Sequence, residues 1–304
     1  MAASSFQVLD KRFRRLFVAN AEVDKLYSGC RWAEGPAYFA AGQYLIWSDI
    51  PNNRMLRLDA CSGAVSVFRQ PAGNSNGNTV DRQGRLVTCE HGGRRVSRTE
   101  IDGSVTTLAD KYNGKRLNSP NDAVVKSDGG IWFTDPTYGI DSDYEGNLSE
   151  REQGGSFVYR IDPKSAELRV VADDFVQPNG IAFSPDESIL YVADTGRTHR
   201  ENGPAHIRSF SVGDGGSLKE RGVFADCTAG LFDGFRVDTA GRIWTSAADG
   251  VHCYDPDGTL IGKVLVPEVV ANVCFGGPKR NYLYICGTTS LYGVRLPVNG
   301  VKTY

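Results

Sequence analysis

Glu34-Gly-Pro-Ala-Tyr-Phe39, followed by Leu45-Ile-Trp-Ser-Asp49, is one copy of a pattern that the chain writes six times. The other copies are Asn76 before Leu86-Val-Thr, Asn121-Asp-Ala-Val-Val before Ile131-Trp-Phe-Thr-Asp, and Asn179-Gly-Ile-Ala-Phe before Leu190-Tyr-Val-Ala-Asp, then Asp233-Gly-Phe-Arg-Val before Ile243-Trp-Thr-Ser and Asn272-Val-Cys-Phe before Leu283-Tyr-Ile-Cys. Each copy opens on an oxygen-bearing side chain, passes a turn and runs into an apolar strand. The second strands begin at Leu45, Leu86, Ile131, Leu190, Ile243 and Leu283, which lie 41, 45, 59, 53 and 40 residues apart. That period is the signature of a propeller blade. Equivalent positions of a radial repeat converge on its axis, so the six oxygen donors are expected to meet at one place.

Each copy carries a third strand with apolar and polar residues in alternation, as in Met55-Leu-Arg-Leu and Phe157-Val-Tyr-Arg-Ile. Asp/Gly turns then lead to outer strands such as Ala64-Val-Ser-Val-Phe. The sixth copy lacks an outer strand, whereas Glu22-Val-Asp-Lys-Leu-Tyr ahead of the first has that pattern. The reading is therefore an all-β, six-bladed β-propeller with four antiparallel strands per blade, its ring closed by an N-terminal strand, which removes an open sheet edge. One domain over residues 1–304 is expected, with 1–20 as an extension or short helix and 21–304 as the blades. Val8 to Val18, rich in Arg, is expected to form a short basic helix packed on the fold. Two polar, Gly-rich insertions, 138–155 and 195–205, exceed ordinary hairpin loops and become lids if they lie on the axial face.

A net charge of -2 with 23% charged residues removes the electrostatic case for nucleic acid or an anionic membrane. No stretch approaches the ~20 apolar residues of a membrane span, and no secretory leader is evident. A cytoplasmic monomer or homodimer acting on a small molecule is the expectation. The seven cysteines are odd in number, and none is spaced C-x-x-C. Several sit in strand patterns, where buried thiols act as small hydrophobes.

Carboxylates and amide carbonyls are hard donors suited to Ca²⁺ or Mg²⁺. Four of the six slots look suited to a cation: Glu34, Asn121, Asn179 and Asp233. Ca²⁺ is favoured because it accepts ~6–8 oxygens in irregular geometry, with Mg²⁺, Mn²⁺ or Zn²⁺ as substitutes. Asn179-Gly and Asp233-Gly are also ordinary turn starters, but a turn does not call for an oxygen donor in all six copies, and Glu34 is a poor turn former.

Glu34-Gly-Pro, Ser119-Pro-Asn-Asp122, Pro178-Asn-Gly-Ile181 with Phe183-Ser-Pro-Asp186, and Asp233-Gly resemble the regucalcin/gluconolactonase family of six-bladed propellers. The resemblance runs from about Tyr27 to Leu296. It implies that the residues matching Glu34, Asn179 and Asp233 hold a divalent cation, with Asn121 beside them on metal, water or substrate. The chain looks most like the bacterial gluconolactonases through Gly73-Asn-Ser-Asn-Gly-Asn78, Thr88-Cys-Glu-His-Gly-Gly-Arg-Arg95 and Phe133-Thr-Asp-Pro-Thr-Tyr-Gly139. It departs from the regucalcin branch at Ser119, where that branch has a sugar-binding arginine.

The expected reaction is metal-dependent opening of a sugar lactone of the D-glucono-1,5-lactone type. Asp233 serves as general base, Glu34 as structure and charge, and Asn76, Glu90, His91, Asn121 and Tyr138 as substrate contacts. His91 is the alternative base. Two other readings remain: a phosphotriesterase, because the same centre resembles that of diisopropylfluorophosphatase, and a non-catalytic binding platform. Sugar-hydroxyl groups at the rim favour the lactone; a dry aromatic rim favours the organophosphate.

Overall fold

The computed structural model describes residues 5–302; residues 1–4 and 303–304 of the span read as one propeller lie outside it. Six antiparallel sheets stand around one axis, their inner strands being Ala33–Phe39, Ser75–Val80, Ala123–Val125, Pro178–Phe183, Phe235–Val237 and Val270–Gly276. Each blade proceeds outward through four strands, in blade one through Tyr44–Asp49 and Arg54–Asp59 to Val65–Arg69. Asp24–Ser28 pairs with Ser290–Arg295 and supplies the outer strand of blade six, so the N-terminal closure is as expected.

Cohesion between blades is apolar. Each neighbouring pair encloses its own cluster, such as Leu45, Trp47, Leu56, Tyr284 and Leu291 between blades one and six, or Trp132, Val158, Leu190, Val192 and Phe210 between three and four. Trp47, Trp132 and Trp244, each from a second strand, have no exposed surface. Truncating any one of them to alanine is a loss of about 3–5 kcal/mol. Five of the seven cysteines are buried as well.

The Arg-rich N-terminal segment carries a short basic helix packed on the fold, as expected, but shorter than Val8 to Val18 and of 3-10 type. Phe6–Val8 pairs with the outer strand Leu260–Leu265 and gives blade five a fifth strand; a single 3-10 turn, Lys11–Arg15, follows. One aromatic ring decides this geometry. Phe13 is fully buried 6.1 Å from the Trp244 ring, and it fits because residue 262 is glycine: a Cβ there would stand 2.2 Å from the Phe13 ring. Arg12 then reaches Asp255 at 2.7 Å and Asp257 at 3.1 Å. Burying one ring and pairing one arginine takes only a turn.

Candidate active site

The regular ladder breaks at every donor slot. In four inner strands the register shifts there, between Glu34 and Ala37, Ser75 and Asn78, Pro178 and Ile181, and Val270 and Asn272. In the other two the strand starts only after the slot, at Ala123 and Phe235. A bulge re-aims a side chain out of the pleat, and here it turns the slot toward the axis.

Neighbouring slots are then sewn together. Gly77 N donates to Asn121 O at 2.7 Å, Gly180 N to Asp233 O at 3.1 Å and Gly234 N to Ala271 O at 2.7 Å. Ser48 Oγ donates to Asn76 O, Thr134 Oγ1 to Asn179 O, both at 2.7 Å, and Asn272 Nδ2 to Glu34 Oε2 at 2.9 Å. The glycines that follow the slots are needed for this approach. A Cβ on Gly77 would lie 2.4 Å from Asn121 O, and one on Gly180 would lie 2.2 Å from Asp233 O. Turn formation is not their reason, since neither has a positive φ.

Glu34, Asn76, Asn121, Asn179 and Asp233 line one pocket of about 350 Å³, and Tyr138 lines it with them. The sixth slot does not: Asn272 holds Glu34, which also accepts from Gly35 N. Asp233 is fixed through its backbone, N to Ser246 Oγ at 2.7 Å, which leaves its carboxyl an edge in the pocket. Burial, then Asp122, raises the Glu34 carboxyl above its usual range. Burial, then Glu34, raises that of Asp233.

Two of the expected contacts are not in the lining. Glu90 ends the second strand of blade two, where its counterparts Asp49, Asp135 and Asp194 accept from backbone N–H groups of the loop before the inner strand. Its own carboxylate is occupied by Arg95 Nε at 2.8 Å and Ser97 Oγ at 2.5 Å, both on the third strand, so it ties the second strand to the third. His91 is fully buried behind Asn76, with Nε2 3.2 Å from the Asn76 amide nitrogen. Burial lowers its pKa to about 4, so it is neutral near pH 7. Ser119 is likewise structural, its Oγ donating to Pro136 O and accepting from Gly139 N.

Both insertions reach the axial face and form the rim. Tyr138 OH lies 2.5 Å from Thr195 Oγ1 and 3.0 Å from Thr198 Oγ1, while His199 Nε2 lies 2.8 Å from Asp141 Oδ2, so the two loops are joined. They contribute Glu145, Thr195 and Thr198, and the opposite wall contributes Trp32, Leu231, Val269 and Val270. None of these seven was singled out from sequence. Insert length marks the loops, but nothing in the order of Asp141, Asp143, Glu145 and Glu150 distinguishes one acid.

The donor set fits a hard dication. Asn179 Oδ1 is buried without a hydrogen-bond partner beside two carboxylates that protein burial disfavours in their charged form. Among the described residues no group of three or more His, Cys, Asp or Glu side chains could hold a metal; the donor slots of this pocket offer two carboxylates, and their remaining oxygens are those of amides.

Fold and site together define a six-bladed propeller with an axial oxygen-donor pocket. Residues 32–289 match the SMP-30/Gluconolactonase/LRE-like region, and the chain belongs to that family. A solved gluconolactonase from Xanthomonas campestris is 39% identical with a TM-score of 0.90, the match covering 96% of this chain and 94% of that one. The pentonolactonase XacC of Haloferax volcanii is 31% identical over 85% of this chain and 82% of its own length. The gluconolactonase of Zymomonas mobilis is 29% identical over 95% and 85% respectively. No helix among the described residues is long and apolar enough to cross a membrane.

Proposed function

We propose that this protein is a lactone hydrolase that opens a sugar lactone of the D-glucono-1,5-lactone type to its aldonic acid at the axial pocket. The observation that carries this is the convergence of Glu34, Asn121, Asn179 and Asp233 on one pocket with a hydroxyl-binding rim of Asn76, Tyr138, Thr195 and Thr198. The lactonases among its relatives support it, and the polar rim favours a sugar lactone over an organophosphate.

Glu34, Asn179, Asp233 and Asn121 would hold a divalent cation, Ca²⁺ by preference. Bound there, the cation would polarise the lactone carbonyl and acidify water. Asp233 is the base. Glu34 is held by Asn272 and Gly35, whereas Asp233 is anchored through its backbone to Ser246 and its carboxyl, beside the Asn179 amide, lines the pocket. Water attacks the carbonyl carbon as Asp233 takes its proton. The bond from that carbon to the ring oxygen then breaks, and Asp233 returns the proton to the leaving oxygen. Asn121 donates to the developing oxyanion. Neutral His91 holds Asn76 from behind and takes no proton.

Proton release from D-glucono-1,5-lactone in weak buffer tests this. Turnover should disappear with excess chelator, return with Ca²⁺, and fall about 10³-fold in Asp233→Asn. Turnover indifferent to chelator, or an active Asp233→Asn protein, refutes the assignment.

A further inference from the structure

The pocket has two unlike walls. Blades two to four and their inserts present Asn76, Tyr138, Thr195 and Thr198; blades five, six and one present Trp32, Leu231, Val269 and Val270. Three carboxyl groups line it, Glu34, Asp233 and Glu145, and among the lining residues there is no lysine, arginine or histidine. A dication matches the charge of Glu34 and Asp233. Glu145 is then the one unbalanced charge.

Its position is built into the fold. The insert turns back on itself, Asn147 N donating to Gly139 O at 3.0 Å, and residue 146 is a glycine whose added Cβ would stand 2.1 Å from that same oxygen. Glu145 Oε2 lies 3.8 Å from His91 Nδ1, and the side chain is 24% exposed. Arg94 and Arg95 are absent from the lining: Arg94 Nε donates to Leu117 O and Arg95 Nε to Glu90. With the reacting carbonyl at the axis beside Asp233, the far edge of a bound ring faces the insert.

Resting on the lactone reading above, we propose that Glu145 is a specificity-determining charge filter. The site takes an uncharged polyhydroxylated ring, its hydroxyl edge toward Glu145 and one apolar face on Trp32 and Leu231, and rejects the same ring carrying an anionic group on its exocyclic carbon. Hydroxyls donate to a carboxylate, whereas a phosphate or sulfonate at that edge meets a like charge with no lysine, arginine or histidine in the lining, or lies on an apolar wall, and both arrangements are unfavourable. Burial, then Asp141, raises the Glu145 carboxyl to about 7, so the carboxylate that repels an anion prevails above that pH and the discrimination is read at pH 8.

The test uses ring ethers that cannot be hydrolysed, so ligand choice is read apart from chemistry. Calorimetry of the Ca²⁺-loaded protein should give 1,5-anhydro-D-glucitol an affinity at least about tenfold above that of its 6-sulfonate, the size of a like-charge contact at a partly exposed site. Glu145→Gln should narrow that ratio to under about threefold, and Glu145→Lys should invert it. Equal binding of the two rings by the wild type, binding of neither, or a ratio that both variants leave unchanged overturns the proposal. Rejection of the sulfonate by a protein that opens no lactone supports the filter and refutes the reaction instead.

Discussion

Asn121 and Asp122 are consecutive in the chain, yet they serve opposite ends of the same axis. Asp122, 1% exposed, faces Arg236, whose Nη1 lies 3.1 Å from its Oδ2; Arg236 lines a small cavity with the far ends of the inner strands. Asn121 faces the pocket that holds Glu34 and Asp233, where the described residues provide no cation of their own. A buried carboxylate needs a partner, and this fold answers one end with an arginine of its own. The other end, on the function proposed above, is left for a cation and a substrate from solution. A site that must exchange ligands cannot be filled by the chain, whereas one that only closes the ring can.

The largest effect should come from removing the internal cation. Arg236→Met strands the Asp122 charge and should lower stability by about 3–5 kcal/mol, read by urea denaturation. Adding Asp122→Asn should recover most of that loss; a single variant as stable as the wild type would show that Asp122 does not depend on Arg236.

Next comes the external cation. Ca²⁺ in hundredfold excess over its dissociation constant should stabilise the protein by about 2.7 kcal/mol, seen as a raised melting temperature that chelator reverses. The pH dependence has a definite sign. A carboxyl whose folded pKa is raised contributes stability that is present below its unfolded pKa and lost as pH rises through the folded value. Glu34 and Asp233 are both raised, so the metal-free protein weakens from pH 6 to pH 8. Ca²⁺ displaces those protons, so its stabilising effect should grow over the same range. A gain that shrinks toward pH 8 would contradict the shared-site account.

The smallest effect sharpens the role of His91. It lies behind the pocket and is held neutral, so His91→Gln, which keeps a polar partner for Asn76, should lower lactone turnover by less than about tenfold. Loss of ~10²-fold or more would place His91 among the proton-transfer groups.

The ring was legible because blade spacing and strand alternation survive in sequence, and the closing strand because the sixth copy visibly lacks one. The slots were legible as donors, yet their glycines read as turn residues when they are places where neighbouring blades nearly touch. Asn272 shares the pattern but is spent on Glu34. Glu90 reads as a site residue beside His91, although it occupies the same strand-end position as Asp49, Asp135 and Asp194 and is spent on Arg95 and Ser97. The rim was not legible: Glu145 and Thr198 lie in aperiodic inserts, and Trp32 and Leu231 reach the pocket from connecting loops whose course depends on tertiary contacts. The N-terminal helix was legible as short and basic, but not its length, which is set by one buried ring at Phe13.

The most direct measurement is a calorimetric titration of chelator-treated protein with Ca²⁺. One equivalent per chain should bind with proton release that increases toward neutral pH, and Glu34→Gln should weaken it by a hundredfold or more, about 2.7 kcal/mol. Absence of binding, or binding that neither Glu34→Gln nor Asp233→Asn alters, would contradict an axial cation centre.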